Sequence, residues 1–211
     1  MPALRGSLTY ARFFVSEDDG AKIPEDFREK FMRAIRLRAM KPLEPDEEDL
    51  ERSGWCKLGE PFELELRYDD VFTTEYIALG FRTDRWQIPS SMMKARLREA
   101  EAAYLEKKGR EKMGRKERAE LKEMVAKKLR RQTAPATRVV DLVWSVDDGI
   151  VRFFSHSPKA AGFMMELFTK TFGLKLVPEA PYTLAERIGL SKPETIAWQE
   201  LEMTSLAQEA G

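Results

Sequence analysis

Histidine and cysteine are almost missing from this 211-residue chain, which has one of each, His156 and Cys56. A single cysteine cannot close an internal disulfide, and a single histidine excludes a metal site built on a histidine cluster and any two-histidine mechanism. No uncharged apolar run reaches the roughly 18 residues of a membrane-spanning helix. The opening Met1-Pro2-Ala3-Leu4-Arg5-Gly6 lacks the apolar stretch of a signal peptide. Gly-rich phosphate loops, G-x-S-x-G and C-x-x-C are absent as well. The expectation is a cytoplasmic protein, with no membrane contact, that is not an enzyme and has no metal site and no cofactor.

Net charge is missing too, because 36 Lys and Arg balance 36 Asp and Glu. Charge itself is plentiful at 34% of residues, against about 25% in an ordinary domain. With 43% apolar residues the chain can form a packed core, so the surplus charge belongs to a large solvated surface.

Ser7–Val15, rich in β-branched and aromatic residues, reads as a first strand, followed by a turn over Ser16–Gly20. Pro24 opens a helix with Phe27, Phe31, Ala34 and Ile35 on its buried face. Pro42–Glu51 is acidic, proline-broken loop. Phe62–Tyr68 (FELELRY) alternates apolar and polar residues as a half-buried strand does, and with the turn Asp69-Asp70 and a strand over Phe72–Arg82 it predicts a hairpin. Ser91 is the expected N-cap of a helix to Lys108, Gly109 and Gly114 bracket a break, and a second helix runs from Arg115 to Arg131. Each of these two helices has one narrow apolar stripe: Met93, Leu97, Ala100 and Tyr104 on the first, Leu121, Val125 and Leu129 on the second. That pattern predicts a helical hairpin standing off the body.

Arg138–Val146 and Ile150–Ser155 form a second β-hairpin around Asp147-Asp148-Gly149. Ser157-Pro158 starts a helix that buries Ala160, Phe163, Met164, Leu167, Phe168 and Phe172 and stops at Gly173. Leu174–Val177 is strand-like, and two short helices follow from Ala180, the second opened by Pro193 and carrying Trp198. The fold class is α+β: antiparallel β-hairpins packed with helices, plus a protruding basic helical hairpin. Residues 1–90 and 132–180 form the body, 91–131 the inserted hairpin and 181–211 a helical tail.

The charge is unevenly spread. Met92–Arg138 holds sixteen bases and seven acids, a net of +9, and the remainder of the chain therefore carries −9. Bases on an exposed hairpin displace condensed counterions from a nucleic acid and bind it without reading sequence. The plainer reading is a solvated helical face with ion pairs at i,i+4, for which Glu106–Arg110, Glu111–Arg115 and Glu123–Lys127 are suited. The run Lys127-Lys128-Leu129-Arg130-Arg131 favours the first reading, having few acids near it in sequence and a solvent-facing group in Lys127, Arg130 and Arg131. The expected DNA-binding residues are Lys107, Lys108, Arg110, Arg115, Lys116, Arg118, Lys127, Lys128, Arg130, Arg131 and Arg138.

Other candidates are plainer still. Asp46-Glu47-Glu48-Asp49 reads as solvated loop, Asp69-Asp70 and Asp147-Asp148 as turn residues, His156 as incidental, and Cys56 as a small buried apolar group.

Several landmarks occur in a recognisable order: Tyr10 in the first strand, the Gly54-Trp55 step, and the strand leading to Ile88-Pro89 and a charged helix. Gly114-Arg115-Lys116-Glu117-Arg118 and Leu121-Lys122-Glu123 follow, then the hairpin at Asp147–Gly149 and the Ser157–Gly173 helix ending before Leu176-Val177-Pro178. In this order the chain resembles, from about residue 5 to 178, the N-terminal part of the RdgC family of bacterial recombination-associated DNA-binding proteins. The resemblance implies a homodimer that encircles duplex DNA as a ring, associates with the nucleoid and limits access of a RecA-type recombinase. The chain is shorter than typical members, and the family's leucine-proline-arginine-aromatic step stands here as Leu129-Arg130-Arg131-Gln132-Thr133. The expected function is therefore sequence-independent DNA binding linked to recombination or replication, duplex ahead of single strands. The alternative is a protein-interaction or dimerisation module that uses the stripe of Met93, Leu97, Leu121 and Val125.

Overall fold

In the computed structural model, which describes residues 9–16 and 23–200, the strands follow the β-branched and aromatic stretches. They are β1 (Ala11–Ser16), β2 (Glu51–Cys56), β3 (Tyr76–Arg85), β4 (Ala136–Ser145), β5 (Ile150–Phe153) and β6 (Lys175–Pro178). They form one antiparallel sheet in the order β2-β3-β4-β5-β1-β6. The register sets Trp55 beside Phe81, Phe81 beside Val140, Leu79 beside Leu142 and Ile77 beside Trp144. Because side chains alternate along a strand, these residues share one face, and α1 (Phe27–Leu37) and α5 (Pro158–Phe172) cover it.

The core between sheet and helices is aromatic. Phe31 of α1 and Phe168 and Phe172 of α5 surround Trp144, with ring centroids 5.1–5.6 Å from it. The buried Trp55 indole N–H donates to Thr171 Oγ1 at 2.8 Å. Each such side chain taken fully out of water contributes roughly 1.5–3 kcal/mol. Ser157 caps α5 as expected, its Oγ accepting the Ala160 amide at 3.4 Å, and Gly173 ends the helix at φ +70°. The buried face of α5 is narrower than expected. Met164, Phe168, Thr171 and Phe172 form it, Ala160 and Leu167 are half-buried, and Phe163 is 39% exposed. On α1 likewise Phe31, Met32 and Ile35 are buried while Phe27 and Ala34 are half-buried.

The hairpin expected from Phe62–Tyr68 and Phe72–Arg82 does not form. Residues 61–67 are a strap without regular structure, Asp69 and Asp70 lie in the single-turn helix α2 (Tyr68–Val71), and β3 starts at Tyr76. The alternation in FELELRY has no strand to pair with. Only Leu66 is buried, and the strap's carbonyls are held by side chains: Arg36 Nε donates to Leu66 O at 3.0 Å and Arg82 Nη1 to Pro61 O at 2.8 Å. The place beside β3 on the side away from β4 is taken by β2, whose sequence ERSGWC hides its strand character behind a glycine. Gly54 is required by a close approach. The Trp55 amide donates to Arg38 O at 3.0 Å and Met40's amide to Trp55 O at 2.7 Å, so a Cβ on Gly54 would lie 2.6 Å from Met40 Cα.

The adjacent strands β3 and β4 are joined by α3 (Ser90–Lys108) and α4 (Arg115–Gln132), which pack chiefly on each other. The N-cap of α3 is Pro89 rather than Ser91. The β4–β5 hairpin turns at Gly149, φ +64°, as expected. Helices α6 (Pro181–Ile188) and α7 (Lys192–Gln199) follow β6, and Arg187 of α6 lies 4.2 Å over the Phe14 ring while donating to Asp148 O. Among the described residues no helix is long and apolar enough to cross a membrane. Ser7, Leu8, the turn residues 17–20 and the part of the expected tail over 201–211 lie outside the described residues.

Candidate nucleic-acid interface

The two stripes read from the sequence meet. Leu121, Val125 and Leu129 of α4 are buried, and Met93, Leu97, Ala100 and Tyr104 of α3 are half-buried. Gly109 ends α3 in the left-handed region at φ +61°. Glu117 then fastens the turn: one carboxylate oxygen accepts the Gly114 amide at 2.9 Å and the other accepts Tyr104 Oη at 2.9 Å and Arg110 at 3.3 Å. These donors, the Gly114 amide foremost, hold the Glu117 carboxyl below the usual carboxylate range, and the bond from Tyr104 pushes that phenol up. Arg118 reaches across to Glu101 at 2.6 Å.

The expected site residues fall into three places. Around the turn, Lys107 and Lys108 lie in the last turn of α3, where cations complement the negative end of the helix dipole, so helix stability alone accounts for them. Arg115 and Lys116 open α4, where the dipole opposes cations, and helix stability does not account for these, whereas Arg118 is accounted for by its ion pair with Glu101. Arg115 and Arg118 border a groove of about 520 Å³ together with Lys94 and Lys122, over a floor of Met93, Leu97 and Ala119. No acidic residue lines it. Sequence reasoning left Lys94 and Lys122 off the site, although Arg115, Arg118 and Lys122 recur at helical spacing on one face.

The second place is the end of α4, and here the sequence reading needs correction. Arg130 is 5% exposed, its Nε makes no hydrogen bond, and it does not share a solvent face with Lys127 and Arg131. Arg131 binds both oxygens of Asp46 at 2.8 Å, and Lys127 pairs with Glu123 at 3.3 Å. Acids distant in sequence are close in space: the loop 41–50 meets α4 where the helix returns to the body, and Arg131 holds the Asp46 carboxyl below its usual range. Lys128 stays exposed beside Arg96 and Glu99. Of the expected i,i+4 pairs, Glu123–Lys127 forms, whereas Arg110 turns to Glu117 rather than Glu106.

The third place is on the body. Arg138 sits on β4 opposite Thr83 and lines a cleft of about 300 Å³ with Arg85 and Lys159, neither of which the sequence singled out.

The remaining candidates are structural. In the acidic loop Asp46 pairs with Arg131, and Glu47 and Asp49 pair with Arg52. Asp70 accepts from Arg67 and Lys57, which hold it below its usual range, and Asp148 accepts from Ser145 Oγ. Among the described residues no three His, Cys, Asp or Glu side chains converge in a way that would hold a metal ion. His156 is exposed between β5 and α5. Cys56 is buried, and burial pushes its thiol up to about 12.

Comparison with protein families matches residues 24–188 to the model described as "Putative exonuclease, RdgC". No curated protein matches the chain.

Proposed function

The chain belongs to the RdgC family, and from that premise we propose that it binds DNA without sequence specificity, by phosphate contacts along the α3–α4 hairpin. The observation that carries this reading is the groove edged by Lys94, Arg115 and Lys122, which have no ion pair among the described residues, and by Arg118, which Glu101 holds from outside the lining. Arg115 and Lys116 also stand against the helix dipole, a placement that a phosphate partner rewards and an isolated helix does not. In this reading the protein acts as a homodimer on the nucleoid, prefers duplex to single strands and restricts a RecA-type recombinase. It does so without catalysis, a reading supported by the turn, ion-pair and capping contacts of Asp46, Asp70, Glu117 and Asp148.

A second reading, a protein-docking hairpin, is favoured by one observation: Met92 and Met124 are 42% and 58% exposed on the two helices. Titrating random duplex DNA against the protein over a range of salt separates the two. Phosphate contact gives a log–log slope of about −0.9 per phosphate neutralised, while a protein-docking hairpin gives weak, salt-flat binding. Magnesium-dependent loss of the DNA on incubation with the purified protein would refute the non-catalytic part.

A further inference from the structure

Phe163 is the large apolar residue of α5 that the core leaves out, although its neighbours Met164, Phe168 and Phe172 are buried. It lines the body cleft, of about 300 Å³, near the small end of the range of roughly 300–1,000 Å³ typical of small-ligand sites. Arg85, Arg138 and Lys159 converge there against a single carboxylate, Glu51. That carboxylate is stretched between two cations, 3.9 Å from Arg85 and 4.0 Å from Lys159, and Arg138 has no ion pair among the described residues. Lys159 Nζ is 5.4 Å from the Phe163 ring centroid. Gln87, on the segment that leads from β3 into α3, adds an exposed side-chain amide to the lining.

We propose that this cleft receives one unpaired nucleotide of a single-stranded nucleic acid, with the base on Phe163 and the flanking phosphates at Arg85, Arg138 and Lys159. An aromatic platform within a basic groove is what single strands recognise, because every base has a stacking face. A phosphate entering the cleft offers Lys159 a nearer counter-ion than Glu51 does and frees the ring face that the ammonium covers. The Gln87 amide can donate to and accept from a base edge. A duplex presents phosphates to the rim, but its paired, stacked bases cannot reach Phe163. Gln87 and Ala136 stand where the chain leaves for the hairpin and returns from it, so the cleft lies at the root of the hairpin. The inference thus rests on the nucleic-acid reading and adds a distinct, single-strand-selective site to it.

The test is anisotropy titration of a labelled oligothymidylate and of a labelled random duplex with the full chain and its F163A, F163L and R138Q variants. F163A should weaken oligothymidylate binding by about 5- to 150-fold, the effect of losing one base–aromatic stack, and leave duplex affinity unchanged. F163L keeps apolar volume on α5 and should show the same selective loss, which separates stacking from packing. R138Q, on an exposed residue, should lower the single-strand salt slope by about 0.7. The proposal is overturned if wild-type protein does not bind oligothymidylate, if F163L binds it as wild type does, or if both Phe163 variants lose duplex and single-strand binding in equal proportion. Failure of wild-type protein to bind duplex would instead refute the hairpin reading and leave the single-strand comparison decisive.

Discussion

Replacing Arg115, Lys116 and Lys122 together with glutamine tests the hairpin most directly. All three are exposed and none has an ion pair among the described residues, so nothing is stranded when their charge is removed. Every phosphate that the variant leaves unneutralised should reduce the salt slope by about 0.9, hence up to about 2.7 for the three. Between 50 and 200 mM salt, a slope of that size corresponds to roughly 40-fold in affinity. The variant should therefore bind duplex more weakly at low salt, and the deficit should shrink as salt rises. Thermal stability should hold or rise slightly, because Arg115 and Lys116 oppose the dipole at the start of α4. Fluorescence anisotropy at several salt concentrations, with a melting curve beside it, is sufficient. A paired set, Lys127 and Arg131 to glutamine, is the contrast. These bases already hold Glu123 and Asp46, so their removal should lower the slope by less. Equal slope reductions from both sets, or none from the first, would refute the assignment of the phosphate track to the groove.

G54A places a Cβ within 2.6 Å of Met40 Cα and should cost about 1–3 kcal/mol by overpacking; an unchanged denaturation midpoint would contradict the close approach. The carboxyl of Glu117 titrates below its ordinary value of 4.5, so its contribution to the hairpin turn is complete above that pH and is lost as pH falls through the lowered folded value. The Gly114 amide resonance should move on acidification in the wild type and stay fixed in E117Q. Cys56, with its thiol pushed up to about 12 inside the core, should resist alkylation at pH 8 until the protein is unfolded, and rapid labelling of native protein would show the site to be open.

The hairpin was legible because its information is local. Leu121, Val125 and Leu129 recur at four-residue spacing, and Gly109 and Gly114 sit at the breaks, so the pairing of α3 with α4 follows from the pattern. Ser157, Pro158 and Gly173 bounded α5 for the same reason. Errors arose where distant chain segments decide the outcome. FELELRY has the period of a strand, but the place beside β3 belongs to residues 51–56, and Arg36 and Arg82 side chains hold the strap instead. Arg131 looked unopposed because Asp46, 85 residues away from it, could not be placed beside it from spacing, and Arg130 looked solvent-facing although the packing of α4 on the body buries it. Arg85, Lys159 and Phe163 gave no joint signal, since only the register of β3 with β4 and the first turns of α5 bring them into one cleft.

Arg85 and Ala136 are neighbours across the β3–β4 ladder, so the chain leaves the sheet and re-enters it at almost the same point. Fifty residues, 86–135, lie between them, with fifteen bases and seven acids. Opposed residues on antiparallel strands are only about 4.5–5.5 Å apart, a gap that a short glycine-containing turn closes. Excising the intervening residues would convert the β3–β4 pair into an ordinary reverse-turn ladder and leave an acidic protein of net charge −8. The molecule thus divides in engineering terms into a scaffold and a graft of net charge +8, and Arg85, Arg138 and Lys159 are a basic cluster that the scaffold would keep after the graft is removed.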